Sequence, residues 1–153
     1  HRLRHERPHF LAAFSAGEID AGFVLHAPGA APAGFESQTV LDEPMLLALP
    51  EGALPAGRVR VRAVDLQALP LLAFPRAVTP TLHDAIFSTQ RALGWTPDVA
   101  QEAIQMQTLV NLVSAGMGAA WVPESVTRLQ RPGVVYRQVV NCKLRAQASR
   151  HRV

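Results

Sequence analysis

The rhythm of apolar and polar positions changes repeatedly along the chain. A helical stretch is expected from Phe10 to Ala16, ended by Gly17, and "EIDAGFVL" then alternates into a strand from Asp20 to Leu25. "HAPGAAPAG", His26 to Gly34, has no apolar period and reads as a connector. "FESQTVL" and "PMLLALP" read as two strands separated by Asp42 and Glu43, and "EGALPAGRVRVRAVDLQAL" as a loop with one helical turn. "PLLAFP", Pro70 to Pro75, is a short apolar run between prolines, as a buried parallel strand tends to be.

Thr79-Pro80 then opens a helix whose apolar positions Leu82, Ala85, Ile86 and Leu93 keep three-four spacing until Gly94. "DVAQEA" is another strand candidate. Met106, Leu109, Val110, Leu112 and Val113 again show helical spacing, with Gly116 or Gly118 as the stop, and "AAWVP" is a strand ended by Pro123. Strand, helix, strand, helix, strand is the grammar of an α/β fold with a parallel sheet covered on both faces.

Composition narrows the class. At 153 residues, 48% apolar and 18% charged, the chain can bury a core. No apolar run approaches the roughly 18 residues of a membrane span, and "HRLRHERPHF" lacks an apolar signal-peptide region, so no membrane partner and a cytoplasmic location are expected. The single cysteine, Cys142, excludes an internal disulfide and a multi-thiolate zinc site. The basic balance sits at the ends. Residues 125–153 carry seven Lys or Arg and no acid, whereas residues 8–124 carry five arginines against eleven acids, a net of −6. An acidic body argues against a DNA-binding face spread over it.

In sheets of this grammar, ligands sit where loops leave the carboxyl ends of strands. Two loops qualify. "FPRAVTPT" offers the Arg76 guanidinium and, at Thr81 and Leu82, helix-opening amides that favour an anion. "QEAIQMQT" places Gln105, Met106, Gln107 and Thr108 at the start of the next helix. Together they suit a small carboxylate that is held and not transformed. Each residue also has a plain reading: Arg76 pairing with a surface acid, Met106 and Trp121 in the core, the glutamines as helix caps, Glu102 as a solvated strand position.

Catalytic and metal chemistry finds little support. Ser114 in "VSAGMG" lacks the G-x-S-x-G elbow and a nearby histidine, "GMG" is too short to cradle phosphate and instead ends a helix close against a strand, and His83-Asp84 reads as a helix first turn. His1, His5 and His9 have metal-compatible spacing, but Pro8 opposes the helix they would need. No enzyme activity, metal or cofactor is expected.

The ordered series "GEIDAGFV", "LDEPMLLALPEGALP", "LPLLAFPR", "QEAIQMQTLVNLVSAGMGAAWVPESV" and "GVVYR" resembles the effector-binding domain of LysR-type transcriptional regulators, from Ser15 to about Gln138. The resemblance implies a type 2 periplasmic-binding-protein-like α/β fold of two Rossmann-like subdomains with effector between them. Residues 28–121 would form a complete second subdomain, and residues 1–27 and 122–153 part of the first. Phe74, Pro75, Arg76 and Thr79, with Gln105, Met106, Gln107 and Thr108, would line the effector cleft. Leu25, His26, Val122 and Pro123 would form the hinge. The helix from Pro80 to Leu93 resembles the one that pairs effector domains, which implies a homodimer or tetramer. The family's winged helix-turn-helix is not among these 153 residues, so DNA would be contacted only through a segment outside them. A free-standing solute-binding protein of the same fold is the alternative. The tail "QVVNCKLRAQASRHRV" does not read as the strand and helix expected there.

An incomplete first subdomain would leave sheet edges and apolar faces uncovered. The isolated chain is therefore expected to be marginally stable or self-associating in analytical ultracentrifugation. A monodisperse monomer with one sharp thermal transition would contradict this.

Overall fold

The computed structural model describes residues 23–31, 36–55 and 57–152. The helix expected at residues 10–16 and the three N-terminal histidines lie outside them.

The sheet is organised by one long strand. β2 runs from Glu36 to Pro50, where two strands were expected. It does not break at Asp42-Glu43, because both acids have work within it. Asp42 accepts hydrogen bonds from Arg145 and Gln147 across the sheet, while buried Glu43 accepts the Ser125 N–H at 2.7 Å. The irregularity falls earlier, as a register shift between Thr39 and Leu41. The first half of β2 pairs antiparallel with β8 (Arg145–Arg152), which also pairs with β1 (Phe23–His26). Its second half lies between β6 (Ala120–Pro123) and β7 (Val134–Val139), both antiparallel to it. β3 (Arg60–Val61) adds a short parallel edge to β7.

The tail from Gln138 corrects the sequence reading in part: it holds the end of β7 and all of β8, a strand that sequence did not show, with no helix among the described residues. Arg145, Gln147 and Ser149 supply polar contacts while Ala146 and Ala148 are buried, an alternation that low apolar bulk had concealed.

The expected parallel unit is present. β4 (Leu71–Ala73) pairs parallel with β5 (Val99–Glu102), and Leu71 makes an isolated parallel bridge to Ala119, just before β6. The connecting helices are α1 (Pro80–Ala92) and α2 (Met106–Ser114). Around it the sheet is mixed, since every partner of β2 runs antiparallel.

The core has two main parts meeting at this unit. Leu47, Leu49, Leu66, Leu71, Leu82 and Trp95 fill one side. Leu72, Met106, Leu109, Val110, Val113 and Val122 fill the other. Burial of each such side chain contributes about 2 kcal/mol. The two tryptophans pack with centroids 6.5 Å apart, and the Trp121 indole N–H donates to the buried Gln90 Oε1 at 2.8 Å.

The glycine pair after α2 makes the close approach expected of it. A Cβ on Gly118, whose φ is +156°, would lie 2.6 Å from the Pro70 carbonyl oxygen. Ser114, doubted as a nucleophile, donates its hydroxyl to the Pro132 carbonyl at 2.7 Å.

Gly118→Ala should lower stability by about 2 kcal/mol or more, through overpacking against backbone and a strained dihedral. Gln90→Ala should cost about 2 to 4 kcal/mol by leaving a cavity and an unpaired indole N–H. Chemical denaturation followed by circular dichroism reads both, and wild-type midpoints would refute the packing account.

Candidate ligand-binding site

Because β4 and β5 are parallel, their carboxyl ends and the N-termini of α1 and α2 fall on one side of the sheet. Beneath α1 at this edge lies a cavity of about 20 Å³, room for roughly one water molecule. Leu72 and Ala73 of β4 line it below, and Leu82, His83, Ile86 and Phe87 of α1 line it above. Met106 and Leu109 of α2, Trp121 and Pro123 of β6, and Leu25 of β1 contribute further wall. No lysine, arginine or carboxylate is among the lining residues.

The residues expected to bind effector divide into two groups. Phe74, Thr79 and Met106 line the cavity. Met106 and Thr79 are buried, so Met106 serves both core and wall. Arg76 lies on the surface, where its Nε and an Nη each donate to the Asp84 carboxylate at 2.8 Å. That is the plain pairing considered for it, with the two side chains 63% and 56% exposed. The Arg76 hydrogen bonds, aided by the charge itself, hold the Asp84 carboxyl below its ordinary 3.8 and raise Arg76 in turn. Pro75 is half-buried beside it, while Gln105, Gln107 and Thr108 are exposed around the first turn of α2. Gln105 occupies the N-cap position without a side-chain cap bond.

The hinge candidates also split. Leu25 and Pro123 line the cavity, and Val122 is wholly buried in the core. His26 is buried and bonded on both ring nitrogens, Nδ1 to the Ala27 carbonyl and Nε2 to the Ser149 hydroxyl, each at 2.7 Å. Since a carbonyl only accepts, Nδ1 donates to it. The chain leaving β1 is tied down again where the Ala27 N–H donates to Thr81 Oγ1 at 3.0 Å and the Gly29 N–H to Gln147 Oε1 at 3.0 Å.

His83, read from sequence with Asp84 only as a helix first turn, lies with Asp84 just beyond that turn and lines the cavity. Its ring stacks on Phe87, centroids 4.4 Å apart and planes inclined by 22°. Its Nδ1 is buried and makes no hydrogen bond; an Asp84 oxygen at 3.8 Å is beyond hydrogen-bond distance but within ion-pair reach, and the imidazole is one of the groups that lower the Asp84 carboxyl, after Arg76. Spacing held the signal: Thr79, His83 and Ile86 or Phe87 stand four and then three or four residues apart, on the face Leu82 shares. Thr79 likewise does not use its hydroxyl to cap α1.

A family profile described as the LysR substrate binding domain matches residues 3–149. The chain is similar to the HTH-type transcriptional regulator IlvR of Caulobacter vibrioides, 38% identical over 132 residues that cover 86% of this chain and 44% of that protein. To AlsR of Bacillus subtilis, another HTH-type transcriptional regulator, it is 31% identical over 131 residues, 86% of this chain and 43% of the relative. The chain spans less than half the length of these curated relatives. Among solved structures, CbnR, a LysR family transcriptional regulator, matches with a TM-score of 0.64 at 20% identity, over 95% of this chain and 50% of that one. The effector binding domain of a BenM variant matches with a TM-score of 0.63 at 17% identity, over 96% and 69%. Those two likenesses establish the fold, α/β and type 2 periplasmic-binding-protein-like. With the profile covering nearly all of its length, this chain belongs to the LysR substrate binding domain family.

Proposed function

We propose that the chain senses a small amphiphilic carboxylate for a LysR-type transcriptional regulator and catalyses no reaction. The observation that carries this reading is the shared edge of β4 and β5, where two helix N-termini, a cationic side chain and an apolar cavity converge. The anionic head sits between the first turns of α1 and α2, favoured by their dipoles, and takes Arg76 from Asp84. The apolar part enters beneath α1. At about 20 Å³ the cavity must widen to admit it, so binding displaces α1 or the loop from Phe74 to Thr79.

Such displacement has a route to the rest of the protein, because Thr81 in the first turn of α1 holds the Ala27 N–H at the end of β1. In a regulator of this family, effector would shift the populations of two domain arrangements and so alter how separate DNA-binding segments are presented. That CbnR has been solved in complex with its target DNA supports such an arrangement in relatives. We place the protein in the cytoplasm as a homo-oligomer, dimer or tetramer, with the cleft lying between this subdomain and a first one. The β2–β8 ladder, offset only between Thr39 and Leu41, supports placing the end of the second subdomain nearer residue 150 than residue 121.

Calorimetric titration with straight-chain carboxylates of four to six carbons tests this reading. Arg76→Ala should weaken binding about tenfold, the scale of one charge-assisted contact. Asp84→Asn, by freeing the guanidinium, should strengthen it several-fold with little change in thermal stability, since the pair is exposed. Because the Asp84 carboxyl is held below its ordinary value, it stays ionised throughout the neutral range. Lowering pH should therefore release Arg76 only as pH falls through that depressed value. Affinity unchanged in both variants would sink the carboxylate site.

A further inference from the structure

Among the described residues, His83 Nδ1 is a buried polar atom with no hydrogen bond, and it belongs to a residue on the cavity wall. Native interiors leave few such atoms without a hydrogen bond, and one carried by a residue of the cavity wall points to a group that arrives with the ligand. Thr79, four residues earlier on the same face of α1, also lines the cavity and leaves its hydroxyl out of the helix cap. We infer that His83 is the specificity-determining residue for a hydroxyl carried on the apolar part of the effector, so that the ligand class is a small hydroxylated aliphatic acid. The inference rests on the effector reading above and adds the chemistry of the deep end.

A hydroxyl is the group that fits. Whichever tautomer the imidazole adopts, an O–H can donate to Nδ1 or accept from it, and Thr79 can meet the remaining lone pair or proton. A second carboxylate does not fit: no lysine or arginine lines the cavity, and Asp84 already stands 3.8 Å from Nδ1. A bare hydrocarbon would fill the space and leave the ring nitrogen without a hydrogen bond. A site built to hydrogen-bond a hydroxyl discriminates against the analogue lacking it far better than a greasy pocket discriminates by size.

The test compares hexanoate with 6-hydroxyhexanoate, by calorimetry and by tryptophan emission, to which Trp121 on the cavity wall and its neighbour Trp95 both contribute. The hydroxylated probe should bind the unmodified chain about tenfold more tightly. His83→Phe keeps the ring that stacks on Phe87 and removes both nitrogens, so the ratio of the two affinities should fall from about ten to about one, whatever the change in hexanoate affinity itself. His83→Asn, which restores a polar atom near the position of Nδ1, should recover part of the preference. Equal affinities in the unmodified chain, or a preference that survives in His83→Phe, overturn the role of His83 while hexanoate binding that depends on Arg76 leaves the carboxylate site standing. Should His83→Phe fail to fold, the preference in the unmodified chain and its partial retention in His83→Asn still decide. Binding of neither probe overturns both.

Discussion

The structure depends on β2 finding partners along fifteen residues of extended backbone. Buried peptide groups must be hydrogen-bonded, and a strand of this length meets that requirement only by recruiting several others. Those others come from far along the chain: Met45 to Ala48 pair with residues 120–123, Leu47 to Pro50 with residues 134–137, and the first half with β8. Residues 36–50 are thus fixed only once residues 120–152 have folded onto them. Glu43 strengthens the dependence, because its buried carboxylate is bonded to the Ser125 N–H, at the start of the turn after β6.

On this frame the parallel unit sets the geometry of the site. Parallel pairing of β4 with β5 and with Ala119, just before β6, sends both helices back across the sheet and brings their N-termini to one edge. Gly118 allows the turn from α2 into β6 to press against Pro70, where a side chain would collide with backbone. The short gap between sheet and α1 is filled almost wholly by apolar groups. The polar groups of the region are divided between a surface pair, Arg76 with Asp84, and a wall residue, His83, whose Nδ1 makes no hydrogen bond. Polar ties at Thr81 and Gln147 then fasten the chain after β1 to α1 and to β8.

Much of the fold was written in local pattern. Thr79-Pro80 and Gly94 bound α1, the apolar period from Met106 marks α2, and the prolines around "PLLAFP" mark β4. Motif resemblance identified the family across most of the chain. The misreadings share a cause. Asp42 and Glu43 looked like a break because their partners, Arg145, Gln147 and Ser125, are over eighty residues away. The tail did not read as a strand because its inward residues are alanines, small enough to weaken the alternation yet fully buried.

The site was legible to the level of loops and no further. The sequence by itself determined that the loops and helix starts after two parallel strands carry Phe74, Arg76, Thr79 and Met106, since strand direction and helix starts are local properties. Only tertiary structure decided which of these face the cavity and which face solvent. Arg76 turned to Asp84, eight residues on, because an exposed guanidinium takes the nearest carboxylate its geometry can meet. His83 came to the wall because its helix face also carries Leu82 and Ile86, and burying that face against β4 carries the imidazole in with them.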